Sequence, residues 1–242
     1  MHTVSPLAVG FCAVVLAAPA QALVIYENDF QAAVGSEWSK STIENTPTPY
    51  PTGPRSFLGQ FGNETVTLTL GGLPAHTAVQ LDFDLYLIRS WDGSSGGAPL
   101  YDFGNDVFRV AVQGGPLLLA ETFSNGNPAG QSYGPNANNP AFTGAAETYS
   151  LGYVFNDGMG IDQVMDSVYR FNFLFNDTRN LVAFDFSAFG LQGLDDESWG
   201  LDNVRVSLLG MPTRAVDEPA TLALLGIGLL GAGLARRRLR RV

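Results

Sequence analysis

Few side chains in this sequence stand where they could bind or react. Trp91 sits in Ser90-Trp91-Asp92-Gly93, where a strand pattern runs out into a loop, and Tyr101 and Tyr133 also fall in loop sequence. Stacking on a pyranose needs exposed aromatic faces with polar neighbours to orient the hydroxyls, so these three form the candidate carbohydrate-binding set. Trp91 reads equally as a plug closing one end of a sandwich. Asp92, Asp102 and Asp106 flank the Gly-rich segment 93–97. Clustered carboxylates supply the hard oxygen donors that calcium takes, although a solvated acidic turn is the plainer reading of the three.

Catalytic chemistry fares worse. Gly93-Ser94-Ser95-Gly96-Gly97 matches G-x-S-x-G, but a nucleophile elbow must lead into a helix. Ala98-Pro99-Leu100 follows instead. His76 is the one histidine besides His2, so any Ser-His-Asp triad would depend on it. Placed after Leu73-Pro74-Ala75, it reads as a surface turn residue. One histidine and no usable cysteine cannot hold zinc. Paired carboxylates for glycoside hydrolysis stay open in principle. No E-x-D-x-x-E strand is present, and Asp195-Asp196-Glu197 reads as a solvated like-charge turn. The catalytic set is therefore empty, and the expectation is a protein that is not an enzyme.

The elements that must position these residues are strands. Val79–Ile88 sends Val79, Leu81, Phe83, Leu85 and Leu87 to one face and Gln80, Asp82, Asp84 and Tyr86 to the other. That period of two is the signature of a half-buried strand. Leu23–Tyr26, Thr65–Leu70, Asp106–Gln113, Leu117–Thr122, Tyr169–Phe175, Leu181–Ser187 and Trp199–Leu208 read the same way. The stripe Tyr169, Phe171, Phe173, Phe175 reads as core. Segments 36–52 and 123–148 are long and irregular; the second is rich in Asn, Gly and Pro, as functional or disordered loops are. Many strands parted by Gly, Asn and Pro turns predict an all-β fold, a jelly-roll-type β-sandwich.

Composition agrees. The 242 residues include 28 Gly and 14 Pro, with only 15% charged. Of 13 basic residues, five (Arg236, Arg237, Arg238, Arg240, Arg241) close the chain, leaving 8 against 23 acidic ones between Leu23 and Pro219, a net of −15. A body this acidic repels nucleic acid. The single cysteine, Cys12, falls in the leader described next, which leaves no disulfide framework.

Leu7–Ala18 is a short apolar run followed by Ala20-Gln21-Ala22, a small-x-small site that predicts cleavage before Leu23. The n-region lacks Lys and Arg, so an uncleaved anchor is the alternative, but the run is short for a bilayer. At the other end, Val216-Asp217-Glu218-Pro219 precedes the apolar stretch Ala220–Ala235 and the arginine cluster. With Leu224-Leu225-Gly226, Gly228-Leu229 and Gly231, this tail resembles the PEP-CTERM sorting signal. Asp217 departs from the family, which has Pro there. The resemblance implies an exosortase-type processing enzyme, anchoring in the inner membrane as a precursor, and release or attachment at the cell surface among exopolysaccharide. Physics points the same way: an apolar stretch of sixteen residues is marginal for a ~30 Å core but gains reach from snorkelling arginines. The basic cluster keeps its own end cytoplasmic and puts the body outside.

A second resemblance rests on Tyr26-Glu27-Asn28-Asp29-Phe30 near the start and Trp199-Gly200-Leu201-Asp202-Asn203-Val204 near the end. Together they look like jelly rolls of the carbohydrate-binding-module and concanavalin-like lectin type. In many of those, an acidic residue of the first strand and an Asp of the last share a structural calcium, which nominates Glu27 and Asp202 as metal ligands here. The expected organisation is thus a signal peptide over 1–22, a β-sandwich over 23–210, a linker carrying the sorting motif over 211–219, and a transmembrane helix with its basic tail over 220–242. The expected function is a non-catalytic surface or matrix protein with weak carbohydrate binding. The alternatives are a purely structural or adhesive component and a polysaccharide-active enzyme.

Overall fold

The computed structural model describes residues 22–47, 53–94, 104–126, 130–156 and 162–211. The leader, the sorting tail, Tyr101, Asp102 and Ser95 lie outside them. In chain order the strands are β1 (Leu23–Asn28), β2 (Ile43–Asn45), β3 (Ser56–Phe61), β4 (Thr65–Gly71), β5 (Ala78–Arg89), β6 (Val107–Val112), β7 (Leu117–Thr122), β8 (Glu147–Thr148), β9 (Val154–Asn156), β10 (Asp162–Val164), β11 (Asp166–Asn176), β12 (Leu181–Phe189) and β13 (Glu197–Leu209). The runs expected from alternation correspond to β1, β4, β5, β6, β7, β11, β12 and β13.

One sheet runs β2-β3-β13-β5-β11-β8, with β1 also paired to β13; a four-stranded sheet runs β4-β12-β6-β7; and β9 and β10 form a separate hairpin. Every pairing is antiparallel. The result is an all-β, sandwich-like stack of sheets, consistent with the jelly roll that the turn-rich sequence predicts.

Between the two large sheets lies one continuous core. Leu81, Phe83, Leu85 and Leu87 of β5 and Tyr169 and Phe171 of β11 meet Phe108, Val110, Phe184 and Phe186 of the facing sheet. Phe83 packs edge-on to Phe186, ring centroids 5.2 Å apart, and the stripe on β11 is core as its spacing predicts. A second, smaller cluster covers part of the large sheet's outer face, where Leu151 and Tyr153 fold over Phe57, Tyr86, Ile88 and Val168. Tyr86 therefore points outward from the sandwich core, as alternation requires, and is still buried.

The central strand β13 carries a bulge between Asp202 and Arg205. Asn203 takes a left-handed backbone, φ 50°, which Asn tolerates better than most residues. The extra residue resets the period of two, so Trp199 and Leu201 face the core before it and Val204, Val206 and Leu208 after it. Just upstream, a Cβ on Gly200 would lie 2.3 Å from the Phe57 ring, so only glycine lets that ring cross the strand.

The segment 123–148 is ordered across its described part. Gln131, fully buried, accepts from Ser124 N at 3.1 Å and donates to the carbonyls of Tyr133 (2.9 Å) and Thr143 (3.0 Å). Asn125 donates to the carbonyls of Leu87 and Arg89 at 3.1 and 2.9 Å. Buried side-chain amides stand in for the ladder that a loop lacks.

Candidate functional site

Three carboxylates converge at the end of the sandwich. Asp92 follows β5 and is bridged to Ser124; Asp106 immediately precedes β6; Glu197 opens β13. Ligand oxygens of all three lie within 4.8 Å of one another. The turn that brings Asp92 to Asp106 depends on Gly93, with φ +78° and room for no Cβ, since one would lie 2.0 Å from the Gly130 carbonyl. Gly93 O accepts from Asp106 N at 3.0 Å, and the amides of Asp92 and Gly93 both donate to Asp106 Oδ2. Gln192 N donates to Glu197 Oε2 at 2.8 Å. Asp106 and Glu197 are both 0% exposed. Among the described residues, their other oxygens, Asp106 Oδ1 and Glu197 Oε1, meet no N–H or O–H donor from another residue, which leaves a proton shared between the two carboxyls as the one hydrogen bond open to them.

The electrostatics follow from that burial. Desolvation drives both Asp106 and Glu197 above the ordinary carboxylate range, and the neighbouring acid charges push the same way. Backbone N–H donors to Asp106 Oδ2 and Glu197 Oε2 offset part of the rise.

Of these three, Asp92 and Asp106 were candidates from sequence beside Asp102, whereas Glu197 was read as part of a solvated turn. The structure corrects that reading: Glu197 is wholly buried. A signal for it existed, because Glu197 shares the parity of Trp199 and Leu201, the core-facing residues of its strand. His76 is likewise buried at 4% exposure rather than on the surface, its Nδ1 against the Pro74 carbonyl at 2.7 Å.

A second feature is an open, polar recess of about 660 Å³ lined by Glu27, Asn28, Asp29, Gln80, Asp82, Asn203 and Arg205. It lies across β1, β13 and β5, where Glu27, Arg205 and Asp82 stand in register.

The remaining sequence candidates fall as follows. Glu27 is exposed in the recess. Asp202 is buried at 4% exposure and takes other partners: Tyr86 OH donates to its Oδ2 at 2.6 Å, and Asn203 N to its Oδ1 at 2.7 Å. Geometry thus joins Asp202 to Tyr86. Trp91 is fully buried and donates through Nε1 to the Ser198 carbonyl at 2.8 Å, so its faces belong to the core. Tyr133 is half-buried, stacked on Phe123 with centroids 4.9 Å apart. Tyr101, and the tail residues Val216, Asp217, Glu218, Pro219, Arg236, Arg237, Arg238, Arg240 and Arg241, lie outside the described residues. Among the described residues, no helix is long and apolar enough to cross a membrane.

Comparison with known proteins adds one sequence match. Residues 218–241 match the PEP-CTERM protein-sorting motif. The match covers the tail alone. No curated protein matches the chain. Among the solved structures that match are two carbohydrate-binding modules. One is the carbohydrate-binding module CBM6cm-2 from Cellvibrio mixtus lichenase 5A in complex with cellotriose, 13% identical, TM-score 0.34, covering 76% of this chain and 97% of its own. The other is the CBM22-1 xylan-binding domain from Paenibacillus barcinonensis Xyn10C, 10% identical, TM-score 0.33, covering 81% and 100%. At those scores and identities, neither neighbour's ligand carries over to this chain.

Proposed function

We propose that this chain is an exported, non-catalytic surface or matrix protein whose precursor is processed by an exosortase-type enzyme. The observation that carries the reading is the sorting motif at 218–241 following so soon after the central strand β13, which ends at Leu209. The eight residues 210–217 between them reach at most about 30 Å when fully extended. A sandwich on so short a tether stays close to whatever holds the motif until the tail is cut. The test is to express the full chain in an exosortase-bearing host and in its exosortase deletion strain. The reading expects a shorter form in the envelope or medium of the first and an uncut, membrane-fraction form in the second; identical products in both would sink it.

A non-catalytic role is supported by where the reactive groups lie. His76 is buried against Pro74. Glycosidases need two carboxylates flanking a bound glycosidic bond, and Asp106 and Glu197 are both shut from solvent.

Within this reading, the polar recess around Glu27, Asp82 and Arg205 is the surface we assign to exopolysaccharide. Its carboxylates, amides and guanidinium group match the hydroxyls of a sugar chain. Retardation in gels containing the producing strain's own polymer, lost in Asp82→Ala, would support the assignment. Unretarded migration would favour the second reading, a purely structural or adhesive component with no ligand site. The burial of Trp91 also favours that second reading.

A further inference from the structure

We propose that Asp92, Asp106 and Glu197 hold one hard divalent cation, with calcium best suited to the donors, at the end of the sandwich where β5, β6 and β13 meet. Proximity of acids alone does not carry this. The second observation is the pair of oxygens Asp106 Oδ1 and Glu197 Oε1, which belong to side chains 0% exposed and meet no N–H or O–H donor from another residue among the described residues. On each carboxylate the other oxygen is already held by backbone N–H groups. The remaining two are therefore fixed in direction, and one carboxylate oxygen from each of Asp92, Asp106 and Glu197 lies within 4.8 Å of the others. Two ligands at calcium distances of about 2.3–2.6 Å from one ion can stand at most about 5 Å apart, and every pair among the three falls inside that bound.

Donor chemistry narrows the class. The three side chains offer only hard oxygen, which suits calcium, magnesium or manganese and disfavours the softer metals. Three carboxylate oxygens supply about half of calcium's shell of six to eight, the rest falling to water and backbone carbonyls. The frame is rigid: Gly93 holds the Asp92–Asp106 turn where any side chain would strike the Gly130 carbonyl, and Glu197 is anchored by its own amide to the Gly193 carbonyl at 2.6 Å. A cation there would tie the starts of β6 and β13 to the end of β5. The competing occupant of the same space is a proton shared between Asp106 and Glu197. This inference stands independently of the sorting reading.

The test uses the full chain purified in detergent and stripped with a chelator, then studied by equilibrium dialysis with radioactive calcium and by thermal melts. The expected result is one calcium per chain and a melting temperature raised by about 5 °C or more at calcium a hundredfold above Kd. Glu197→Gln should abolish binding and the shift together. Should that variant fail to fold, Asp92→Asn at the half-buried corner carries the test, with affinity expected to fall at least tenfold. No bound calcium and no shift in the parent chain would overturn the proposal and leave the shared proton. Unchanged affinity in Asp92→Asn would overturn it too, by placing the ion elsewhere, the recess around Glu27 included.

Discussion

Tyr86 OH donates to Asp202 Oδ2 at 2.6 Å on the outer face of the large sheet. Above the pair, Arg55 lies 5.3 Å from the centre of the Tyr86 ring, and Phe57 packs on the same ring. Asp202 thus serves the bulge of β13 and the small outer core. Burial raises its carboxyl to about 6, against the pull of the Tyr86 and Asn203 hydrogen bonds.

That shift has a definite sign. Folded Asp202 keeps its proton up to about pH 6, whereas the unfolded chain releases it near 3.9. Its contribution to stability is therefore full below about pH 4 and is lost as pH rises through about 6. Asp202→Asn is neutral throughout and still accepts from Tyr86. Its stability relative to the parent should improve by up to about 3 kcal/mol between pH 4 and pH 7.5. Urea unfolding of both chains at the two pH values measures this; a difference that does not move with pH contradicts the account.

Gln131 offers a second test. Its amide satisfies Ser124 N and the carbonyls of Tyr133 and Thr143, and Tyr169 OH reaches its Oε1 at 3.3 Å. Gln131→Leu keeps the volume and strips every one of these partners. Stability should fall by about 1–3 kcal/mol or more, since about 1–3 kcal/mol is the cost of a single orphaned buried polar group. Hydrogen exchange should localise the loosening to 124–143, while amides of β5 and β11 keep their protection. Uniform loss of protection would mean that the amide network is not what orders this loop.

How much of this was legible in sequence follows from what each segment buries. Strands with one face on the core, such as β4 and β5 as far as Leu85, show clean alternation and are readable. β3 is not: Phe57, Leu58 and Gly59 are all buried, because Tyr153 covers one face while the sandwich core takes the other. With both faces covered, the period of two vanishes. β2, β8, β9 and β10 span two or three residues, too few for any period. Parity did mark Glu197 as core-facing, but the adjoining Asp195 and Asp196 made solvation the natural reading of the run. Convergence of Asp92, Asp106 and Glu197 is a tertiary fact, since 90 residues part Asp106 from the start of β13 and no spacing rule connects them.

Trp91 decides between two roles that the same sequence supported. Its parity continues from Leu85 and Leu87, so extending the β5 pattern puts it inside, even though Arg89 interrupts the strand with φ 69°. Buried there, its indole N–H satisfies the Ser198 carbonyl, and its own carbonyl accepts from Asn125 N at 2.8 Å. It thereby ties β13 to the 123–148 segment beside Asp92. Trp91→Phe would remove the indole's hydrogen bond to the Ser198 carbonyl and open a small void, at a cost of about 2–4 kcal/mol. A core role requires that loss in urea unfolding, with any retardation in polysaccharide gels unchanged under conditions where the variant is folded. A stacking platform requires the reverse, because an exposed ring contributes little to folding and most of the contact with a sugar. Stability unchanged and retardation lost would therefore return Trp91 to the surface and refute the packing described here.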